Sequence, residues 1–159
     1  MQIKRNAVKR TPLLVSVLLT LMAAAGTAAT YHIDPDASAD PEPDGSRDRP
    51  FTTWNDVQIQ PGNTYLQKRG TVARPQHIRA ASEVTLGAYG DGALPKIESL
   101  ATDREAAVSG WKTDDVTVQD LEITCPGGVS LIKFNTANRV TIANCRLHNS
   151  HWGIRLTGD

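Results

Sequence analysis

Short runs of alternating hydrophobic and polar residues recur at a fixed interval in the second half of the chain. The stretch VTVQDLEITC begins at Val116, and VTIANCRLHNSHWGIRL begins two dozen positions later at Val140. Aligning the two stretches places Asn144 on Asp120. The runs are short, have a period of two and are separated by Asn, Gly, Thr or Ser. Because no helical period is present, the pattern predicts short strands.

The residues that flank these stretches repeat in the same way. Ile132-Lys133-Phe134 falls on Val108-Ser109-Gly110 at the same interval, and on Ile154-Arg155-Leu156 at a slightly shorter one. A short strand cannot bury one face alone, whereas strands of successive coils stacked about 4.8 Å apart bury a continuous core. The repeat therefore predicts an all-β parallel β-helix, or solenoid. A β-sandwich is the alternative, but it requires antiparallel hairpins and no register between repeats.

The chain before these coils is polar and irregular. Residues 31–50, YHIDPDASADPEPDGSRDRP, contain six acidic residues and predict one short strand that enters a loop. Thr52 or Thr53 then caps a single helical turn, in which Trp54 covers an apolar end. We expect the first strand, the acidic loop and a short N-terminal helical cap within residues 30–75. The β-helix coils then follow over residues 76–159, incomplete at the C-terminus.

The segment 1–29 has the three-part pattern of a secretory signal peptide. Basic residues precede the apolar run PLLVSVLLTLM and small residues follow it; the basic residues are Lys4, Arg5, Lys9 and Arg10. The apolar run is too short for a comfortable membrane span. We expect cleavage after Ala29 and a secreted or periplasmic protein, with an uncleaved N-terminal anchor as the alternative.

Removal of the signal peptide changes the charge balance of the chain. The chain has 17 basic and 17 acidic residues, and four of the basic ones lie in the signal peptide, which leaves 13. An excess of about four negative charges disfavours nucleic acid or an anionic membrane as a partner. The segment that remains, 30–159, is long enough for one domain with a modest core. We expect a monomer with no membrane partner after cleavage.

Several stretches resemble the right-handed parallel β-helix proteins of the pectate-lyase-like superfamily. They are YHIDPDASADPEPDGSRDRPFTTW, PGNTYLQKRGTV, VTLGAYGDGALPKI, VTVQDLEITC and VTIANCRLHNSHWGIRL. The resemblance implies a right-handed β-helix that acts on a polysaccharide, often an acidic one, by lyase, hydrolase or epimerase chemistry. We therefore expect an exported carbohydrate-active protein related to polysaccharide (uronate) lyases. A non-catalytic glycan-binding or adhesin-like scaffold is the alternative.

The resemblance also implies a structural role for two polar residues. The superfamily places an Asn-rich bend between the second and third strands of each coil, where Asp120 and Asn144 lie in this sequence. Asn tolerates a left-handed backbone, and its amide can bond to the equivalent residue one coil away. Asp120 departs from the Asn pattern, so we expect a weakened ladder at this bend.

Lys133 and Arg155 are the candidate substrate-binding residues. On the first strands of successive coils their side chains point outward and stack, and two stacked cations favour an anionic ligand. The resemblance implies that this outer face holds substrate and that basic side chains bind uronate carboxylates. The alternative is a pair of solvated surface charges neutralised by acids such as Asp159. The sequence assigns no catalytic residue.

Asp114 and Asp115 are the candidate metal ligands. They occupy the bend before the second strand of their coil, where the resemblance implies carboxylates that bind calcium. Adjacent residues on a strand point in opposite directions, so other coils would have to complete the site. The sequence requires no cofactor, and calcium is the candidate. His148 and His151 flank a turn without an evident third ligand, so we expect hydrogen-bonded surface or bend histidines.

The two cysteines have a predicted separation. Cys145 aligns with Leu121, and Cys125 lies four positions further along the same strand direction. The pair should therefore be about 13 Å apart along the strand axis. A disulfide requires Cα atoms within about 7 Å of each other. We expect two buried, reduced thiols.

Overall fold

The computed structural model describes residues 27–158, and nearly all of its regular structure is β-strand. The predicted signal peptide, residues 1–29, lies outside the described residues except for its last three positions. Thirteen strands follow one another within residues 27–158: β1 (Thr30–Ile33), β2 (Thr64–Lys68), β3 (Val72–Ala73), β4 (Ile78–Arg79), β5 (Thr85–Tyr89), β6 (Lys96–Glu98), β7 (Ala106–Trp111), β8 (Asp114–Gln119), β9 (Glu122–Thr124), β10 (Ser130–Asn135), β11 (Asn138–Ala143), β12 (Arg146–His148) and β13 (Trp152–Thr157).

The strands form three parallel sheets among the described residues. The first sheet has the order β13-β10-β7-β4, the second has β1-β2-β5-β8-β11, and the third has β12-β9-β6-β3. From β2 onward, successive strands pass from sheet to sheet, and each strand from β5 onward pairs in parallel with the equivalent strand of the preceding coil. The described residues therefore form an all-β parallel solenoid of about four coils.

The strand register confirms the repeat that the sequence predicts. Val140 pairs with Val116 in the second sheet. In the first sheet Ile132 pairs with Val108 on one side and with Ile154 on the other. Residues separated by either the longer or the shorter interval of the sequence repeat are thus paired on adjacent strands. The hydrophobic residues of successive coils therefore stack in columns.

The core is a stack of apolar side chains enclosed by the three sheets. Inward positions of the middle coils are fully buried; Val108, Val116, Val118, Leu121, Ile123, Ile132 and Phe134 all have an exposed fraction of 0%. Gly110 shows how closely the coils stack. A Cβ atom built at Gly110 would lie 2.6 Å from the ring of Phe134, the residue with which Gly110 pairs on the next coil. The aromatic ring of one coil therefore requires glycine on the coil before it.

A row of threonines runs along the outer face of the second sheet. Each pairs with the next in register, through all five strands; the row is Thr30, Thr64, Thr85, Thr117 and Thr141. Cross-strand Thr–Thr pairs stabilise a sheet by roughly 0.2–1 kcal/mol each relative to alanine. The β-branched threonine side chains pack well on the pleated surface of the sheet, and their contacts across the strands help to hold the coils in register.

The bends between strands repeat with the same period as the strands. Six of the residues in the left-handed backbone region form three pairs at the interval of the repeat: Lys112 with Thr136, Asp115 with Arg139, and Asp120 with Asn144. The prediction of a left-handed bend at Asp120 (φ 55°) and Asn144 (φ 52°) is confirmed. The Asp120 N–H donates to the carbonyl oxygen of Ala143 at 3.1 Å, so the backbone links the two bends. The Asp120 carboxylate lies 3.6 Å from Arg69, and a side-chain ladder between the two bends stays a prediction.

The predicted N-terminal helical cap is not supported by the structure. The described residues contain no α-helix, and their one helical segment is a three-residue 3₁₀ turn, Trp54–Asp56. Thr53 caps this turn as predicted, since its hydroxyl accepts a hydrogen bond from the N–H of Asn55 at 3.1 Å. The chain is already extended at Val57, and so short a segment cannot repay the cost of helix nucleation. Strand β1 forms the N-terminal edge of the second sheet.

Cys125 and Cys145 are separate thiols, as predicted, but they differ in burial. Cys125 is fully buried and its Sγ lies 3.7 Å from the carbonyl oxygen of Ala101. Cys145 is only half-buried, because no described coil packs over the coil that contains it. The prediction of two buried thiols is therefore wrong for Cys145. Desolvation nevertheless raises the pKa of the Cys145 thiol.

Among residues 27–158, no helix has the length and apolar character that crossing a membrane requires.

Candidate functional site

Four residues of the first sheet form a row across its strands. Arg79 of β4 pairs with Ser109 of β7, Ser109 pairs with Lys133 of β10, and Lys133 pairs with Arg155 of β13. The predicted stacking of Lys133 and Arg155 is confirmed, and the structure adds Arg79 to the same row. Neighbouring strands lie about 4.8 Å apart, so three cationic side chains are distributed over a length of roughly 14 Å along the solenoid axis.

The side chains of this row lie on the outer face of the sheet. Their strand neighbours Ile78, Val108 and Ile132 are buried in the core, and side chains alternate along a strand. Arg79 and Arg155 are exposed, whereas Ser109 and Lys133 are partly covered. The core residues hold the strands in register. The strand register therefore sets the spacing between the backbone positions of the cationic residues.

The cations of the row are not neutralised by described residues. Within residues 27–158, no carboxylate forms an ion pair with Arg79, Lys133 or Arg155. Asp159, the partner that the surface-charge interpretation names, lies outside the described residues. Like charges on adjacent strands destabilise a sheet, and a bound anion relieves that repulsion.

A groove of about 370 Å³ runs beside this row. Arg79, Ser109 and Lys133 line it, and a second wall comes from the residues before β7, including Arg104 and Glu105. Arg155 lies one strand beyond this lining. The groove therefore exposes more positive than negative side chains, although the mature chain as a whole is predicted to be acidic.

The groove wall contains a chain of polar contacts that the sequence did not predict. The Arg79 guanidinium donates a hydrogen bond to the ring of His77. The other ring nitrogen of His77 lies 4.0 Å from the Glu105 carboxylate. Glu105 comes from the loop that precedes β7, so two separate coils build this wall. The contacts orient the Arg79 side chain beside the groove.

A second row of side chains runs parallel to the cations. Trp111 of β7 pairs with Asn135 of β10, and Asn135 pairs with Thr157 of β13. The Thr157 hydroxyl donates a hydrogen bond to the side-chain oxygen of Asn135 at 2.7 Å. Trp111 is 69% exposed and lines the groove together with Asn135. Each residue of this row follows a residue of the first row by two positions, a signal that the repeat alignment already contained.

The candidate metal ligands Asp114 and Asp115 are engaged by the next coil. Asp114 accepts hydrogen bonds from the backbone N–H and the side-chain amide of Asn138, at 3.2 and 2.9 Å. Asp115 accepts two from Arg139, at 2.5 and 2.7 Å. These bonds from Arg139 hold the pKa of the Asp115 carboxyl below its usual value. Residues 27–158 contain no group of three or more His, Cys, Asp or Glu side chains arranged for a metal ion, and the calcium site stays a prediction.

The two histidines near the end of the described chain lie apart from the groove. His148 Nε2 is 3.1 Å from the carboxylate of Glu122, one coil away. The ring of His151 packs edge-on against Trp152 with centroids 5.3 Å apart. His148 therefore has the hydrogen-bond partner predicted for a surface or bend histidine, whereas the contact of His151 is with an aromatic ring.

The fold and the groove together define the chain as a parallel β-solenoid with a basic groove along one sheet. No family model matches the chain, and no curated protein is similar to it. Two solved structures are similar, the native protein and the selenomethionine derivative of a GH136 lacto-N-biosidase from Eubacterium ramulus. Each has a TM-score of 0.57 and 21% sequence identity, over 82% of this chain and 31% of that chain.

The likeness to the lacto-N-biosidase shows a shared fold. The chain spans about a third of the length of that enzyme, so the comparison bears on the solenoid scaffold and leaves the chemistry to the residues of this chain.

Proposed function

We propose that this chain belongs to an exported, carbohydrate-active, right-handed β-helix protein related to polysaccharide (uronate) lyases, and that its basic groove binds an acidic polysaccharide. The observation that carries the proposal is the row Arg79-Ser109-Lys133-Arg155, whose three cations have no carboxylate partner among the described residues. A structural neighbour that is a glycoside hydrolase supports a carbohydrate ligand. Right-handed winding is the usual hand of parallel crossovers.

The chemistry of the row suits a polymer that carries carboxylates. A guanidinium binds a carboxylate through two parallel hydrogen bonds, and an ammonium acts as a compact point charge. Arg79 and Arg155 flank Lys133 on the row, so one polymer lying along the solenoid axis can meet all three cations. Lys133 lines the groove together with Arg79, so its ammonium lies where it can contact a carboxylate of the bound polymer.

A non-catalytic glycan-binding or adhesin-like scaffold is the second candidate, and one observation favours it over a hydrolase. Glu105 is the sole carboxylate among the described residues that line the groove. Glycoside hydrolysis commonly uses a pair of carboxylates that flank the scissile bond. The groove therefore suits binding or elimination chemistry better than hydrolysis by a carboxylate pair.

Two measurements separate these candidates. Elimination from a uronate creates an unsaturated product, so a lyase raises the ultraviolet absorbance of polygalacturonate or alginate, with or without added calcium. A full-length protein that binds these polymers without any rise in absorbance would be a scaffold.

Export is tested by N-terminal sequencing of the protein recovered outside the cytoplasm, for which we expect a start at Thr30.

Binding is tested with matched variants of the row. We expect Lys133→Ala and Arg155→Ala to weaken binding to uronate oligosaccharides, and we expect the affinity to fall with added salt because exposed charges are screened. Arg47→Ala is the control, since Arg47 is an exposed arginine of the acidic loop far from the row in sequence. Equal affinity of all three variants and the wild type would contradict the proposal.

A further inference from the structure

Trp111 exposes an indole ring at the edge of the groove. Of the three tryptophans, Trp54 is 4% exposed and hydrogen-bonded in the core, whereas Trp111 is 69% and Trp152 is 52% exposed. Trp111 alone among them lines the basic groove. Leaving a large aromatic ring in water forgoes the free energy of its burial, so an exposed tryptophan beside a groove indicates a surface for a ligand.

The backbone around Trp111 is held across two coils. Lys112, the next residue, adopts the left-handed conformation (φ 53°), and its N–H donates to the carbonyl oxygen of Asn135 at 3.0 Å. The Lys112 ammonium lies 5.0 Å from the centroid of the indole ring, in a cation–π contact. The Trp111 side chain is still 69% exposed beside this contact, so most of its surface is accessible to a ligand. The indole is thus presented by a defined bend at the end of β7.

The row Trp111-Asn135-Thr157 is parallel to the row of cations. The two rows are two positions apart along each strand, a distance of roughly 6.6 Å. The Thr157 hydroxyl donates to the side-chain oxygen of Asn135, which leaves the amide NH₂ of Asn135 to donate to a ligand. One row therefore offers an aromatic face and polar groups, and the other offers positive charge.

We propose that Trp111 is a stacking platform for a pyranose ring, and that Asn135 and Thr157 bind hydroxyl groups of the sugars that follow it along the solenoid axis. This inference rests on the proposed function, because it places the carboxylates of the same polymer on the row of cations. One face of a pyranose carries polarised C–H groups, which pack on the negative face of an indole. The site thus recognises the sugar ring and its charge through separate side chains.

The two rows make different contributions to selectivity. The cations distinguish an acidic polysaccharide from a neutral one, and their contribution weakens in salt. Contact between the ring and Trp111 excludes water and does not depend on ionic strength in the same way. A neutral sugar, which has the pyranose ring but no carboxylate, therefore keeps only the contact with Trp111.

The experiment compares Trp111→Ala, Trp111→Phe and Trp152→Ala by electrophoresis through gels that contain polygalacturonate or alginate, at low and high salt. Trp152→Ala is the matched control, because it removes an exposed tryptophan of the same sheet that does not line the groove. We expect Trp111→Ala to weaken binding about tenfold at both salt concentrations, as for loss of one aromatic contact. Trp111→Phe should retain most of the affinity, and Trp152→Ala should retain all of it.

The possible outcomes distinguish failure of the Trp111 platform from failure of the proposed function. If Trp111→Ala binds like the wild type while Lys133→Ala binds more weakly, the platform is wrong and the proposed function stands. If Trp152→Ala weakens binding as much as Trp111→Ala, the loss is not specific to the groove, and the platform is again wrong. If the wild-type protein binds neither polymer, the proposed function and the platform both fail. Circular dichroism of each variant verifies that the solenoid is folded.

Discussion

Phe134 and Leu156 occupy the same position on adjacent strands of the first sheet, yet they differ completely in burial. They pair in register between β10 and β13. Phe134 is 0% exposed and packs over Gly110, whereas Leu156 is 57% exposed. No described strand pairs with the outer edge of β13. Position in the repeat therefore sets the direction of a side chain, and the stacking of coils sets its burial.

This difference predicts unequal costs of truncation. Phe134→Ala should lower the free energy of unfolding by about 3–5 kcal/mol, because it removes a buried ring and leaves a cavity. Leu156→Ala should lower it by less than about 1 kcal/mol, because the side chain is largely in solvent. Urea unfolding followed by circular dichroism measures both values. Equal losses would mean that β13 is covered in solution.

The buried amide of Gln67 joins the N-terminal turn to the coils. Its oxygen accepts a hydrogen bond from the Trp54 indole at 2.8 Å, and its NH₂ donates to the carbonyl oxygen of Lys96 at 3.2 Å. We expect Gln67→Leu to cost about 1–3 kcal/mol of stability, because buried polar partners lose their hydrogen bonds. The coupling to Trp54 is measured by a double-mutant cycle with Trp54→Phe. Strictly additive losses in that cycle would show that the hydrogen bond contributes nothing.

The ion pair of Asp115 and Arg139 predicts a dependence of stability on pH. Hydrogen bonding to Arg139 lowers the pKa of Asp115 in the folded protein. The unfolded chain has the higher pKa, so the contribution is fully present above that value and is lost as the pH falls through the folded value. We expect carbon NMR titration to place the pKa of Asp115 higher in Arg139→Gln than in the wild type. Arg139→Lys keeps the charge without the paired hydrogen bonds and should give an intermediate value. An unchanged titration in Arg139→Gln would refute the pairing.

The left-handed bends predict which substitutions the coil boundaries accept. Asp120 has φ 55°, a conformation that costs most non-glycine residues roughly 1–2 kcal/mol. We expect Asp120→Val to destabilise the protein by that amount, and Asp120→Asn or Asp120→Gly to leave its stability nearly unchanged. Thr117→Val, in the adjoining extended strand, is the control and should be tolerated. Thermal unfolding ranks the four variants, and a tolerated Asp120→Val would show that the bend relaxes.

The groove shows which parts of a site a repeat can predict. Lys133 and Arg155 were predictable because their coils follow each other at nearly the regular interval and align closely. Arg79 was not, because the step from Ile78 to its partner Val108 is longer than the regular interval and falls outside the repeat alignment. Insertions in a solenoid are accommodated in its turns and leave the sheet register intact. A longer loop therefore changes the sequence separation of two paired residues, and the repeat alignment no longer predicts their pairing. The alignment already paired Trp111 with Asn135, but only the tertiary structure shows that both residues line the groove.

The sequence by itself determined the period of the coils and which residues stack, such as Val116 on Val140 and Val108 on Ile132, and the family resemblance added the left-handed bends at Asp120 and Asn144. These follow from local rules, since side chains alternate along a strand and few residues accept a positive φ. The tertiary structure alone decided that Arg79 joins the row of cations, that Trp111 borders the groove, and that a 3₁₀ turn stands in place of the predicted helical cap. The physical reason is that burial and proximity depend on which coils stack, and stacking joins residues whose separation along the chain varies with the length of each loop.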